Sequence, residues 1–184
     1  MDAKHISDII TRAKDDILRE VTDRLPRAVG ITAVNHFTQN FRDSGFRDGG
    51  LRPWQKTLRQ RGKGTDAQYG PLTSRRNHLM RSTSFTAAPG QVTIENPVPY
   101  AAIHNEGGVI RIPNKPRTPK KTKNLSLRQV RAVRAVREVP SVRVVRIPKR
   151  QFIGNSKELT QKINRLINES IERIKNGISA LTSH

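Results

Sequence analysis

Between positions 109 and 150 the chain carries fourteen basic residues and a single acid, Glu138, a net +13 out of +20 for all 184 residues. Like charges at that density repel one another, so this stretch cannot collapse on itself as a core. The chain is therefore expected to divide into a compact part and a long basic arm. Pro113, Pro116 and Pro119 keep the start of the arm extended. From Leu127 to Val139 an Arg-Ala-Val pattern follows, with valines at 130, 133, 136 and 139. On a helix these valines and the interleaved arginines would form one apolar and one basic stripe; the β-branched valines fit a strand equally well. Val142, Val144 and Val145, ahead of Pro148, read as strand. The arm, residues 109–150, is read as an extended segment with a hairpin or short helix. It is inserted between a small sheet and a C-terminal helix of a single domain spanning 1–184. So many valines would not stay in water. The arm is thus expected to order against neighbours, with Arg128, Arg131, Arg134, Arg137, Arg143 and Arg146 touching another subunit or a polyanion.

The compact part is read from its periodicity. Ile6, Ile9, Ile10, Ala13, Ile17, Val21 and Leu25 recur at steps suited to an amphipathic helix over residues 6–25. Pro26 should kink that helix or start a new one. Val29, Ala33, Phe37 and Phe41 carry the pattern on to a stop near Asp43-Ser44-Gly45. Residues 44–70 are dense in glycine and read as loop, with Trp54 as an anchor pinning it to the core. Residues 71–82 read as a short helix capped by Thr73 or Ser74. Ser82–Thr86 and Gln91–Glu95 flank Ala87-Ala-Pro-Gly90 as a hairpin. Ser156 caps a last amphipathic helix, whose end should fray over Ala180–His184. The class is α+β, with N-terminal and C-terminal helices packed on a small, mostly antiparallel sheet.

The arm is entered through Tyr100-Ala-Ala-Ile-His-Asn-Glu-Gly-Gly108. Its apolar side chains suit one turn of helix, and its glycines end that turn and free the backbone. Tyr100, Ile103 and Phe152 are expected to pack together, closing the two ends of the arm onto the sheet.

Candidate chemistry is sparse. His104 and Glu106 lie close enough for an acid–base pair, but no nucleophile pattern or metal spacing accompanies them. His36 has no second ligand one helical turn away and reads as structural. Lys63, between Gly62 and Gly64, lacks the spacing of a phosphate-binding loop. No catalytic residue, cofactor or metal is expected. The chain has no cysteine, no signal-peptide core and no apolar run that could span a membrane, and it is expected to be a soluble intracellular product without membrane contact. Only 34% of residues are hydrophobic, so part of the chain should pack only after assembly. A charge of +20 makes a polyanion a natural partner.

Taken in order, several pieces resemble one family. Phe37 to Leu58 contain a Phe, a Gly and Trp-x-x-x-Leu; residues 72–82 contain Leu-Thr, Leu79 and Ser82. Tyr-Ala-x-Ile-His-x-x-Gly follows at 100–107, then Ile-Pro-Lys-Arg-Gln-Phe-Ile-Gly-Asn-Ser at 147–156 ahead of a helix. In that order they resemble the virion morphogenesis, or tail completion, proteins of Mu-like and related tailed phages. The resemblance implies a non-enzymatic subunit of a homo-oligomeric ring, hexameric or dodecameric, at the neck or tail end of a virion assembled in the host cytoplasm. It implies neighbouring neck and tail proteins as partners, and genomic DNA held non-specifically in the lumen. It marks Tyr100, Ile103, His104, Gly107, Gly108, Pro148, Arg150, Phe152 and Gly154 as a structural corner. Two departures stand out: a longer, more basic arm than the family pattern, and Arg75-Arg76 where a glycine is usual. The competing reading is a free basic nucleic-acid-binding protein of packaging or regulation. It lacks a helix-turn-helix, a zinc finger or a pair of RNA-stacking aromatics.

Overall fold

The computed structural model describes residues 3–113 and 142–182. Arg128, Arg131, Arg134 and Arg137 lie outside them, as do residues 183 and 184. Helix α1 (Ala3–Arg19) runs through a π-turn (Glu20–Arg24) into α2 (Leu25–Arg42). The kink expected of Pro26 takes this form. Proline has no N–H for the carbonyl four residues back and its ring crowds that carbonyl, and a wider turn absorbs both faults. The N–H of Leu25 accordingly reaches back to the Glu20 carbonyl.

Among the described residues six strands form three antiparallel pairs, so the sheet is divided rather than continuous. Strands β1 (Gly45–Arg47) and β2 (Leu51–Pro53) lie in the stretch read as loop. Two 3-10 turns, Arg59–Arg61 and Thr65–Gln68, follow. The helix expected over 71–82 is confined to α3 (His78–Arg81). Asn77 adopts a left-handed conformation (φ 47°) and its Oδ1 accepts the Ser74 N–H, which breaks a longer helix there. Strands β3 (Ser84–Ala88) and β4 (Gln91–Glu95) form the expected hairpin around Pro89-Gly90. The corner helix α4 (Ala101–Glu106) leads to β5 (Gly108–Pro113), which pairs with β6 (Val142–Ile147). The last helix, α5, covers Lys157–Thr182. Ser156 Oγ caps it by accepting the Leu159 N–H at 3.2 Å, and that helix continues through Gly177.

The long N-terminal helix and α5 run antiparallel. Ala33 and Phe37 pack with Phe46 and Leu159 in one apolar cluster. One turn further, Phe41 joins Trp54, Leu79, Val98, Ala101 and Phe152 in a second. Gly30 brings α2 against the Phe85 ring of β3, where a Cβ would overlap the ring. His36, fully buried beside Phe37, has no hydrogen-bond partner of good geometry on either ring nitrogen among the described residues, and burial lowers its pKa, as does the positive charge of Lys162.

Candidate assembly interface

Residues of α2 (Asn40, Phe41), of the loop after β2 (Trp54, Gln55), of α4 (Ala101, Asn105) and of the returning segment (Arg150–Ile153) converge where the arm leaves the body. Phe152 is 1% exposed and stacks obliquely on Phe41, ring centroids 4.9 Å apart. Trp54 meets Phe41 edge-on at 5.6 Å, and its Nε1 donates to the Gln151 carbonyl at 2.9 Å. The anchor role read for Trp54 is thus realised through the segment that follows the arm. Asn40 Nδ2 donates to the Phe152 carbonyl at 3.1 Å. Asn105 Oδ1 accepts both the Phe152 and Ile153 N–H groups, at 2.9 and 3.0 Å. A turn with no strand partner of its own therefore has its backbone satisfied by asparagine side chains.

Arg150 is buried, and its Nε and one terminal nitrogen donate to the Gln55 carbonyl at 3.1 and 3.0 Å. Its backbone N–H donates to the His104 carbonyl at 2.8 Å. Burial lowers the guanidinium's pKa. The same burial lowers that of His104, helped by the charge of Arg150, which favours the neutral imidazole. Gly107 has φ +77°, and a Cβ on it would lie 2.8 Å from the Lys149 nitrogen. Only glycine lets the outgoing and returning chains approach this closely. Gly108 backs onto Ile103, Pro148 is half-buried, and Gly154 lies in the turn ahead of α5 against Gln151.

One packing expectation is corrected. Neither Tyr100 nor Ile103 belongs to the Phe152 cluster: Tyr100 is 44% exposed, its hydroxyl lies 3.2 Å from His78 Nδ1 and its ring stands edge-on to His104. The residue of the turn that faces the core is Ala101. As N-cap of α4, Tyr100 begins the turn, and the core side of so short a helix has room for a methyl group next to Val98 and Phe152.

Beyond this clasp, β5 and β6 form a ribbon in register from Gly108↔Ile147 to Pro113↔Val142. One face carries Val109, Arg111 and Pro113 opposite Arg146, Val144 and Val142; the other carries Ile110 and Ile112 opposite Val145 and Arg143. Apolar and basic side chains thus alternate on both faces. Val109, Val142 and Val144 are each more than half exposed.

At the opposite end of the molecule, α1 and α5 enclose a groove of about 310 Å³ between Ile17, Glu20, Arg173 and Ile174. Glu20 is buried, accepting from Ser170 Oγ at 2.7 Å and from Arg173 at 2.7 Å. Burial alone would raise its pKa; the hydrogen bonds and the charges of Arg173 and Arg24 outweigh that and lower it. Glu20 falls outside the apolar positions that mark the helix over residues 6–25, and its partners Ser170 and Arg173 lie 150 and 153 residues away.

Among the described residues no group of three or more His, Asp or Glu could hold a metal ion, and no helix is long and apolar enough to cross a membrane. His104 and Glu106 do not meet in a polar pocket; Glu106 is exposed and pairs with Lys149. The arrangement is that of an α+β protein whose core clasps the base of the β5–β6 ribbon. The chain belongs to the phage virion morphogenesis family, whose model matches residues 1–172. No curated protein and no solved structure matches it. Membership gives the chain a structural or assembly role in a phage virion and associates it with the particle.

Proposed function

We propose that this chain is the ring-forming subunit of a phage neck or tail-completion joint, with no catalytic step of its own. The observation that supports it is the surface left by folding. A virion-assembly chain with a small core holds its arm in a buried clasp, yet leaves apolar side chains exposed along the ribbon and the terminal helices. Patches of this kind mark surfaces that are covered on assembly. The arm lies between adjoining subunits, and its arginines face genomic DNA or an acidic neighbour at the joint. Hexamers or dodecamers satisfy such an arrangement by head-to-tail contacts that close.

Native mass spectrometry of the full chain across a salt series tests this. Closed rings that persist at high salt support the proposal. Monomers that carry nucleic acid, and release it as salt rises, would replace it with the free nucleic-acid-binding reading.

A further inference from the structure

We infer that residues 56–76 form a second polyanion surface, on the body rather than the arm, and that it takes the phosphate backbone of duplex DNA. The inference holds for a ring and for a single chain alike.

This stretch holds six basic side chains, Lys56, Arg59, Arg61, Lys63, Arg75 and Arg76, against one acid, Asp66. All six are exposed, and none of them makes an ion pair among the described residues. Just before it, Arg47 and Arg52 are paired with Asp43 and Asp48. The structure gathers the unpaired charges into one patch. Arg59 is the tie: its Nη2 donates to the Gly70 and Thr73 carbonyls, each at 2.9 Å, and its guanidinium lies 6.0 Å from the centroid of the Tyr69 ring. The 3-10 turn Arg59–Arg61 is thereby fastened beside the next turn. There the Ser74 N–H donates to Asn77 Oδ1 and the Asn77 N–H to the Ser74 carbonyl, both at 3.1 Å. Arg75 and Arg76 are the two central residues of that closed turn. A Cα step is about 3.8 Å, so Arg75 starts within about 8 Å of Thr73, and Arg61 within about 8 Å of Arg59. Lys63 follows between Gly62 and Gly64, where a Cβ on Gly64 would meet no described atom within 4 Å. Lys63 and the Arg75-Arg76 pair, which the sequence left without a role, thus belong to one surface.

The make-up of the patch selects its partner. An interface with a folded protein is built around an apolar, often aromatic core in which charge is depleted. Between 56 and 76 the one exposed large apolar side chain is Leu58, and the one aromatic, Tyr69, is half-buried against Arg59. A phosphate backbone needs no apolar core: lysines and arginines contact it, and released counterions drive the binding. A single strand would call for exposed rings on which bases stack, and this stretch exposes none. Its helical pieces are single 3-10 turns, too short to lie in a groove, so the contact follows the backbone and not the sequence. Residues 114–141 carry nine basic side chains and one acid, so like charge opposes their covering this patch.

The test uses the full chain carrying Arg128→Gln, Arg131→Gln, Arg134→Gln and Arg137→Gln as parent, so that these arm residues do not mask the loop. The loop variant adds Arg61→Gln, Lys63→Gln, Arg75→Gln and Arg76→Gln; Arg59 stays because it ties the turns. A control variant instead adds Lys4→Gln, Arg12→Gln, Lys14→Gln and Arg165→Gln, four exposed charges on the terminal helices. Thermal unfolding and native mass spectra compare fold and oligomeric state with the parent. If the loop variant unfolds early, Arg75→Gln/Arg76→Gln replaces it, with half the change expected. Fluorescence anisotropy of a labelled duplex over a salt series gives the slope of log affinity against log salt. At about 0.9 per phosphate contact, the loop variant's slope should be shallower by about 3 to 4 and the control's by less than about 1. A loop change smaller than about 2, or a control change that matches it, overturns the inference. So does a parent that fails to bind the duplex at low salt. A folded loop variant whose oligomeric state departs from the parent's assigns the patch to a subunit contact and overturns it as well.

Discussion

Two residues carry sharp stability predictions. Phe152, like Phe41, is a fully enclosed large side chain of the clasp, touching Phe41 and sharing a cluster with Trp54 and Ala101. Phe152→Ala should cost about 3–5 kcal/mol in urea unfolding, since the ring leaves a cavity between elements that cannot all move in. Tyr100→Ala, at an exposed position, should cost far less, and equal losses would contradict the packing described. His36 supplies a pH test. Its folded pKa is lowered, so the unfolded chain binds the proton more tightly. Stability is therefore full above the usual histidine pKa of about 6.5 and falls as pH drops below it. His104, lowered by burial and Arg150, acts in the same direction. Urea midpoints at pH 7.5 and 5.5 should differ less in His36→Phe than in wild type. The aromatic residues of this core were legible in sequence, because Trp54 and Phe152 had no other plausible place. Asn40, Asn105 and Glu20 were not: each satisfies groups far along the chain, and a polar side chain alone carries no mark of a distant partner.

At the scale of elements, the helices were readable because a period near 3.6 persists over many turns. The β3–β4 hairpin was readable from its Pro-Gly turn, with ends displaced by two residues on the first strand. Strands β1 and β2 have three residues each and the second is wholly exposed, so no alternation betrays them. Over 71–82 Thr73 and Ser74 suit a helix cap, but nothing in the sequence marks Asn77 as the left-handed residue at which the helix actually begins. The π-turn is where these local rules meet tertiary packing. It precedes Pro26, and its first residue, Glu20, is the polar tie between α1 and α5. Glu20→Ala would leave Ser170 and Arg173 without their acceptor, a loss of about 1–3 kcal/mol for a buried unmet partner. The effect should be local: faster amide exchange in Ala3–Arg19, with the β3–β4 hairpin unchanged. Uniform acceleration across the chain would mean that α1 unfolds only with everything else.

For the whole molecule, the question is what a net charge of +20 does in a protein whose terminal helices are close to neutral. The charge is concentrated in the arm, which contributes +13. Two roles for the arm's basic residues predict different outcomes. If they chiefly hold copies together, neutralising them should change the oligomer. If they face a polyanion, neutralising them should leave the oligomer intact and alter only binding. The exposed apolar side chains of β5 and β6, the paired ends of the arm, favour the second outcome, because they give subunit contact an apolar surface that needs no arginine. Arg128→Gln, Arg131→Gln, Arg134→Gln and Arg137→Gln combined should therefore preserve rings in native mass spectra. Each arginine that contacts phosphate adds about 0.9 to the slope of log affinity against log salt on duplex DNA. Loss of all four should make that slope shallower by about 3 to 4. Fluorescence anisotropy of a labelled duplex between low and physiological salt measures it. An unchanged slope with intact rings would assign these arginines to an acidic protein surface instead of DNA, and loss of the rings themselves would assign them to the subunit interface.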